Sequence, residues 1–426
     1  MRRVLVRRSA TAVGIYASVA VGFLATVVAA RELHPKAVFG LYTIVISASG
    51  FFQVLLDLTV EEAVVKYGFR YVAREQWGRL RELYRSALAV KLVGAALGGI
   101  GIAVLAPFAK SLFGSGSLTV PLLISAGIPL GQALEGLAGT ALFLRSRYDV
   151  RAAFLVWSMG LRLLAIWLGA PHGLVAVVAA LVGAQALSTL SVAAAGLAAF
   201  RRFPSAPRET LGAERREIAF FVLQSSAGTG VISVRNFLTP LLLGIATTPT
   251  QVGYYKVAQA PQSGFQALSA PARMVLLTEQ TRDWEHGRRS TVMRGVRRYS
   301  GLAALLMLVV VPPLYYWMPA LVRFVYKASY VGAADAARVF LLAAAVLFLV
   351  GWTKSFPVAV GRPNLRVVTH GVESLVVIPL TVVLGLRYGA TGAAFAVLAG
   401  ACVFAAMWAV IAFRTDARDV EPAAVG

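Results

Sequence analysis

Charged side chains interrupt several of the long apolar runs in this sequence of 426 residues. An ionisable group that faces lipid costs several kcal/mol, so each one indicates a functional site or a buried partner. Arg162 and Arg235 lie near the middle of their runs. Because a guanidinium donates a planar and permanently charged fork of hydrogen bonds, both residues are candidates for binding phosphate or an acidic sugar. The alternative is that they neutralise Glu135 or Glu373 in buried pairs.

Polar residues at helical spacing extend this candidate site along two further runs. The two stripes contain Lys256, Gln259, Ser263, Gln266 and Arg273 in one run and Thr43, Ser47, Gly50, Gln53 and Asp57 in the other. With about 3.6 residues per turn, the first stripe stays within an arc of about 100° and the second within about 120° on one helix face. Gln224 lies on the same face as Arg235 by the same arithmetic. Lipid cannot satisfy such faces, so they predict a hydrated cavity, with dry hydrogen bonding between helices as the alternative.

The balance of charge at membrane depth indicates the sign of the ligand. The predicted substrate-binding residues are Arg162, Arg235, Lys256, Gln259, Gln266, Gln53, Gln224 and Arg273. The deep cations are Lys91, Arg162, Arg235, Lys256, Arg273 and Arg338, against the carboxylates of Asp57, Glu135 and Glu373. This surplus of cations favours an anionic ligand, and the carboxylates are candidate sites for coupling to a proton or a sodium ion. Lys91, Arg273 and Arg338 lie within about two turns of a run's end, where the side chain can reach the membrane surface instead.

Twelve apolar runs are long enough to carry these residues across a membrane. Only 14% of the residues are charged and 58% are hydrophobic, against roughly 25% charged in soluble domains, which excludes a soluble enzyme. Runs of about 18 or more apolar residues predict spans near 10–30, 39–60, 86–107, 119–143, 152–170, 173–199, 218–243, 252–275, 299–319, 334–353, 366–386 and 390–413. The sequence therefore predicts an all-α polytopic membrane protein with six spans in each of two lobes. The lobes are 1–200 and 218–426, and a cytoplasmic linker joins them at 201–217.

The placement of the basic residues predicts the orientation of these spans. The net charge is +22, from 41 Lys and Arg against 19 Asp and Glu. With the twelve spans above, 29 basic residues lie in the termini and loops on one side, and only 6 lie in the alternate loops. By the positive-inside rule, both termini are predicted to face the cytoplasm. Since topology accounts for most of the charge, a nucleic-acid partner is not expected. The single cysteine, Cys402, and four scattered histidines predict no metal site.

The two lobes show an internal repeat. Gly40, Tyr42 and Gln53 in the second span recur as Gly253, Tyr255 and Gln266 in the eighth, with a constant offset of 213 residues. Since six spans separate the copies, both lobes enter the membrane from the same side. The repeats are therefore predicted to be parallel, related by an axis along the membrane normal.

Four short segments carry a resemblance to a known family: 35–57, 57–66, 252–258 and 388–394. They resemble the polysaccharide biosynthesis and oligosaccharide flippase family, the Wzx-like branch of the MOP superfamily, which also holds the MATE exporters and the lipid II flippases. The resemblance implies a MATE-like fold of two bundles around a central cavity. It also implies transport of undecaprenyl-pyrophosphate-linked or similar oligosaccharides. The seventh span departs from the pattern, because Arg235 and Asn236 stand where an acidic residue is expected.

We therefore expect a multi-pass transporter of the cytoplasmic membrane, without enzymatic activity or cofactor. Its expected substrate is a lipid-linked, anionic, pyrophosphate-linked oligosaccharide, which it flips by alternating access for surface polysaccharide assembly. Expected partners are membrane lipids, a coupling H⁺ or Na⁺, and glycosyltransferases or a polymerase. The alternative is a MATE-type drug or metabolite exporter. A polytopic sugar polymerase or ligase is less favoured, because the longest predicted outer loop has about 15 residues and offers little room for a catalytic site.

Overall fold

The described part of the chain is helical. The computed structural model describes residues 2–56, 58–268, 276, 279–284, 286, 288–362 and 364–417. Contacts between residues divide the chain into two units, 1–241 and 242–426. The first unit contains α1 Arg2–Glu32, α2 Lys36–Leu56, α3 Val60–Ala73, α4 Trp77–Leu105, α5 Ala109–Phe113, α6 Thr119–Ser125, α7 Ile128–Leu144, α8 Tyr148–Gly169, α9 Leu174–Phe200 and most of α10 Glu214–Ala246.

The second unit continues with a further set of helices. They are α11 Pro249–Ala258, α12 Ala260–Leu268, α13 Arg289–Tyr316, α14 Met318–Tyr326, α15 Ala334–Leu349, α16 Phe356–Ala359 and α17 Asn364–Ala417. The boundary between the units falls inside α10, so the seventh span packs mostly with the first unit. The division into lobes at the linker 201–217, which rests on the repeat, stays a prediction.

Ten helices among the described residues are long and apolar enough to cross a membrane, as in a multi-pass membrane protein. Eleven of the twelve predicted spans fall on them, because one candidate, Asn364–Thr415, has 52 residues. A helix of that length extends about 78 Å, more than twice the hydrocarbon core of about 30 Å. The remaining predicted span, 252–275, runs into residues outside the described ranges. The number twelve and the cytoplasmic termini therefore stay predictions.

Gly389 divides α17 at the point predicted between the last two spans. Its backbone has φ 59° and ψ −134°, a region that favours glycine because it lacks a Cβ. The side chain of Gln251, at the start of α11, occupies the space where a Cβ would stand. The amide oxygen of Gln251 accepts a hydrogen bond from the backbone N–H of Ala390 at 2.9 Å. This bond satisfies one free N–H at the start of the second half of α17.

Close helix packing organises the first unit. α1 packs against α8, α9 packs against α7 and α8, and α4 packs against α2 and α7. Small residues permit these approaches, because a Cβ on Gly14 would lie 2.8 Å from the Cβ of Ala152. A Cβ on Gly196 would similarly meet the backbone of Ala138. The result is a bundle whose helices hold fixed faces toward one another.

The amphipathic helix α3 joins α2 to α4 and packs against the start of α10. Tyr67 donates a hydrogen bond to Glu217 at 3.0 Å, and Tyr71 donates one to Glu214. Burial and these hydrogen bonds raise the pKa of both tyrosines, so the hydroxyls stay protonated and remain donors. The connection between the second and third predicted spans is therefore partly helical.

An aromatic cluster in the second unit lies against the second half of α17. Trp352, Phe356, Phe404 and Trp408 are each at most 4% exposed. Their rings meet edge to face, for example Trp352 and Trp408 with centroids 5.7 Å apart. Such pairs add to the stability gained from burying large apolar surfaces.

The internal repeat has a counterpart in burial. Phe39, Tyr42, Ile44 and Val45 on α2 are all at most 5% exposed, and so are Val252, Tyr255, Val257 and Ala258 on α11, at the same offset of 213. α2 continues through Ala48, whereas its mate is interrupted at Gln259. The residue equivalent to Ala48 is Pro261, which has no N–H to continue the helix. One proline therefore separates two otherwise similar spans.

Candidate functional site

A cavity of about 310 Å³ lies within the first unit, between α2, α7, α8, α9 and α10. Its polar lining consists of Ser49, Gln53, Gln132, Glu135, Arg151, Ser158, Arg162 and Gln185. Helical periodicity places these residues. On α8, Arg151, Leu155, Ser158 and Arg162 follow steps of 4, 3 and 4, which keep them on one face. That face is turned toward α7 and α9, against which α8 packs.

The carboxylate of Glu135 is the most connected group of the cavity. Its Oε2 accepts hydrogen bonds from Gln185 Nε2 at 2.9 Å and from Ser188 Oγ at 3.1 Å, both on α9. Its Oε1 faces Arg151 Nη1 at 3.8 Å. Nearby, Thr189 donates to the carbonyl oxygen of Gly131 at 3.0 Å, which ties α9 to α7. The charge of Glu135 is thus balanced by Arg151 and its position is fixed by α9.

A second ion pair lies beside this cavity. Lys91 Nζ is 2.6 Å from Glu61 Oε1, and the lysine side chain is only 1% exposed. Gly136 makes room for Glu61, because a Cβ there would collide with the carboxylate. The interpretation of Lys91 as a side chain that reaches the membrane surface is therefore wrong. The lysine is buried because a carboxylate from α3 compensates its charge. Arg338, by contrast, lies near the start of α15 and pairs with the exposed Asp335 at 2.9 Å.

Arg162 lines the cavity together with Gln53 and Glu135, so three of the predicted site residues meet in one place. Arg162 makes no hydrogen bond or ion pair that the structure records among the described residues. The ion-pair partner of Glu135 is Arg151 rather than Arg162. The alternative in which Arg162 neutralises Glu135 is therefore not what this structure shows, and the Arg162 guanidinium is available to a ligand.

The other predicted residues within the described ranges do not line this cavity. Arg235 is half-buried on α10, and its carbonyl oxygen accepts a hydrogen bond from Thr239 at 2.8 Å. The glutamines and lysine of the predicted stripes on spans seven and eight range from half-buried to exposed: Gln224, Lys256, Gln259 and Gln266. Glu373 is buried in the second unit and lies 2.8 Å from His370 Nδ1. Asp57 and Arg273 lie outside the described residues. The roles of all eight stay predictions.

The cavity also contains polar residues that the sequence analysis missed. Arg151 was assigned to a loop, yet it lies in the first turn of α8 with its side chain 15% exposed. Gln132 precedes Glu135 by three residues on α7, and Gln185 faces them from α9. The signal was present in the spacing of Arg151, Ser158 and Arg162. It was concealed because the predicted span began at residue 152 and left Arg151 outside.

Comparison with known families gives one match. The sequence model of the family described as polysaccharide biosynthesis protein matches residues 8–277, more than half of the chain and the whole of the first unit beyond residue 7. The family resemblance inferred from the four short segments is thereby confirmed. Among reviewed protein sequences, no significant match is found.

Solved structures with the same fold are transporters of the MOP superfamily. One is a multidrug resistance MATE family transporter in an inward-facing conformation, at 14% identity and a TM-score of 0.71, with 95% of this chain and 96% of that chain covered. Another is the lipid II flippase MurJ in an inward closed conformation, also at 14% identity and a TM-score of 0.71, with 94% of this chain and 87% of that chain covered. A third is a MOP superfamily transporter from Pyrococcus furiosus, at 13% identity and a TM-score of 0.61, with 97% of this chain and 96% of that chain covered. At these identities the likeness establishes the MATE-like fold alone, which confirms the predicted fold class apart from the number of spans and the cytoplasmic location of the termini.

Proposed function

Because the chain belongs to the polysaccharide biosynthesis protein family, we propose that it transports a lipid-linked oligosaccharide across the cytoplasmic membrane for surface polysaccharide assembly. The substrate carries an anionic group, such as the pyrophosphate that joins the sugar to the lipid. The chain takes it up on the cytoplasmic side and releases it outside by alternating access. Transport of this kind requires no covalent step and no catalytic residue.

The observation that carries this proposal is the guanidinium of Arg162 in the cavity of the first unit. It stands among amide and hydroxyl groups from α2, α7 and α8. A guanidinium donates two parallel hydrogen bonds to phosphate or carboxylate, and these bonds are strong where water is partly excluded. Gln53 and Gln132 can add donors or acceptors for neighbouring sugar hydroxyls. An oxyanion with sugar attached suits this set of groups.

The size of the cavity limits what it takes. A volume of about 310 Å³ is at the lower end of ligand pockets, which span roughly 300–1,000 Å³. An oligosaccharide of several sugars does not fit inside it. We therefore assign the cavity to the charged group of the substrate, and the remaining sugars and the lipid lie elsewhere.

The sign of the lining separates this function from the export of cationic drugs. The cavity contains two arginines and one carboxylate, and Arg151 already balances that carboxylate. A cationic drug requires a free carboxylate, whereas here the surplus charge is positive. The likeness to a multidrug transporter and to a lipid II flippase is equal by TM-score, so the fold does not distinguish the two functions. An exporter of anionic metabolites remains the second candidate, since the same guanidinium favours it.

Several finer assignments belong to the same proposal. Arg235, Lys256, Gln259 and Gln266, with Gln224 and Arg273, are proposed to contact the substrate in other states of the transport cycle. Asp57, Glu135 and Glu373 are proposed as sites of coupling to H⁺ or Na⁺. Glycosyltransferases and a polymerase are proposed to act before and after transport, because the lipid-linked substrate must be built and then consumed.

Substitution of Arg162 in cells tests the proposal. In a strain whose surface polysaccharide depends on this chain, Arg162→Ala should reduce surface polysaccharide by tenfold or more, because a charge-assisted hydrogen bond contributes about 1.5–3 kcal/mol. Arg162→Lys should retain part of the function, since it keeps the charge without the fork. The matched control is Arg147→Ala, which removes an arginine from the start of the same helix, where it pairs with Asp149 outside the cavity.

Two outcomes would contradict the proposal. Normal surface polysaccharide in the Arg162→Ala strain, at equal protein level in the membrane, would remove Arg162 from the substrate site. Normal surface polysaccharide after deletion of the gene, accompanied by accumulation of an anionic metabolite in the cell, would favour the exporter.

A further inference from the structure

We propose that Glu135 and Arg151 form an exchangeable pair, in which an oxyanion of the substrate displaces Glu135 from Arg151 and Glu135 takes up a proton from water. This inference rests on the proposed function and adds a regulating residue to the same cavity. It makes the binding of the anion and the uptake of one proton parts of a single event. Arg162 is the deeper anchor in this scheme, and Arg151 is the first one.

The ion pair between Arg151 and Glu135 is loose. The Nη1 to Oε1 distance of 3.8 Å is too long for a hydrogen bond. Arg151 Nη1 is also buried and has no hydrogen-bond partner among the described residues. A buried donor without an acceptor costs about 1–3 kcal/mol. An oxyanion in the cavity would satisfy this donor, so Arg151 is already prepared for a ligand.

Glu135 does not depend on Arg151 for its position. Gln185 and Ser188 both donate to Oε2, from a helix that carries no part of the exchange. When Arg151 turns to the ligand, the carboxyl group therefore stays in place. Its Oε1, which faced the guanidinium, is then the oxygen that accepts the proton.

The surrounding charges single out Glu135 as the group that takes up the proton. The charged groups that the described helices present here are Glu61 from α3, Lys91 from α4, and Arg151 and Arg162 from α8. α2 and α9 present uncharged Ser49, Gln53, Gln185 and Ser188, and α10 lines the cavity with the apolar Phe237. Glu61 also interacts electrostatically with Arg151, but Lys91 compensates it at 2.6 Å. Once an anion pairs with Arg151, the Glu135 carboxylate has lost its counter-charge. A proton then neutralises Glu135 in place of Arg151.

The two arginines are placed in sequence along α8. They are eleven residues apart, which corresponds to about 16 Å along a helix axis. Arg151 lies in the first turn, next to the segment predicted to face the cytoplasm, and Arg162 lies in the middle of the span. An anion that enters from the cytoplasm therefore meets Arg151 first. Glu135 controls that first contact.

Thermodynamic linkage gives the signature of this exchange. If one proton is taken up when the anion binds, the affinity rises as the pH falls, by up to about tenfold per pH unit. Glu135→Gln resembles the protonated form. It should bind the anion at least as tightly as the wild type does at low pH, and its affinity should no longer depend on pH.

The probe is glucose 6-sulfate, whose sulfate ester keeps a constant charge between about pH 6 and about pH 8.5. Its dissociation constant is measured by calorimetry with the purified full chain in detergent, for the wild type, Glu135→Gln and Arg151→Ala. Glu217→Gln is the matched control, since Glu217 is a carboxylate of the same unit at the start of α10. Arg151→Ala should bind weakly at every pH and lose most of the pH dependence.

Each result has a defined meaning. Loss of pH dependence in Glu135→Gln, with the wild-type slope retained in Glu217→Gln, supports the exchange. An unchanged slope of affinity against pH in Glu135→Gln overturns it, as does an absence of binding by the wild type at all pH values.

If Glu135→Gln does not fold, Ser188→Ala serves instead. It removes one donor to the charged carboxylate and should move the onset of tight binding to higher pH, and no movement would overturn the exchange. Neither contrary result affects the Arg162 test in cells, so failure of this inference and failure of the proposed function are distinguishable.

Discussion

The second span and its repeat mate show how two copies of one element diverge. α2 and α11 bury the same positions, as Tyr42 and Tyr255 illustrate. Beyond this common core, α2 continues as a helix and brings Ser49 and Gln53 to the cavity. The mate is instead interrupted at Gln259, two residues before Pro261. Gln53 lines the cavity, and its equivalent Gln266 is exposed. The repeat therefore preserves packing, while the two copies differ in the continuity of the helix and in the exposure of the equivalent glutamines.

The two units also differ in the residue types that they bury. The first unit buries Lys91 and Arg151 beside carboxylates around a cavity. One core cluster of the second unit is aromatic, with Trp352 and Trp408 buried in it, although this unit also buries Glu373 beside His370. Buried charges without a role are costly, and apolar replacements are often more stable. The charges of the first unit are thus better explained by a ligand than by stability.

Exchanging the proline between the two copies should have the largest effect. Ala48→Pro places a proline inside α2, where it removes a helix hydrogen bond and should destabilise the protein by about 3 kcal/mol or more. Pro261→Ala should leave stability within about 1 kcal/mol, because the mate is already adapted to the break. Thermal unfolding of the purified proteins in detergent checks both. Equal stability of the two variants would contradict the claim that this position separates the copies.

Removal of the buried cation should have the next largest effect. Lys91→Met leaves Glu61 without its partner in a largely buried place, and loss of one partner of a buried pair costs about 3–5 kcal/mol. Because the Glu61 side chain is 28% exposed, we expect the lower end, about 3 kcal/mol. Adding Glu61→Gln should restore part of the loss. The exposed Lys110→Met is the control, and a similar loss there would remove the special role of Lys91.

A single methyl group provides the smallest of these tests. The ring of Phe237 occupies the space where a Cβ on Gly50 would stand, so Gly50→Ala should cost about 1–3 kcal/mol through overpacking. The equivalent position in the second unit is the exposed Ser263. Ser263→Ala should change stability by less than about 0.5 kcal/mol. Chemical denaturation of both variants checks the difference, and equal values would mean that the close approach of Phe237 is not maintained.

The sequence predicted the helices well because their signal is long and redundant. Apolar runs gave the positions of the spans, and the offset between Tyr42 and Tyr255 gave the repeat. It also gave Arg162 and Gln53 as candidate binding residues, and the structure shows that both line one cavity. The sequence analysis did not state that α2 is continuous while its mate is interrupted, although Pro261 in the mate is the residue that marks the break.

The sequence did less well on which charges belong together. Arg151 was counted in a loop because a span that begins a few residues late excludes it. The pair of Lys91 with Glu61 joins α3 to α4 through a turn, and the contact of Glu135 with Gln185 joins residues 50 positions apart. Partners of this kind depend on how helices pack, which a single sequence does not encode in any local pattern. A surplus of cations could be counted, but the finding that Arg162 has no ion-pair partner among the described residues required the structure.

The most direct test of the central claim is the affinity of the purified chain for farnesyl diphosphate, a short lipid that carries a diphosphate. The cavity of the first unit is claimed to bind the anionic group through Arg162, so Arg162→Ala should raise the dissociation constant by about tenfold or more. Arg147→Ala should leave it unchanged. An equal dissociation constant for the wild type and Arg162→Ala, with both proteins folded, would contradict the assignment of this cavity to the anion.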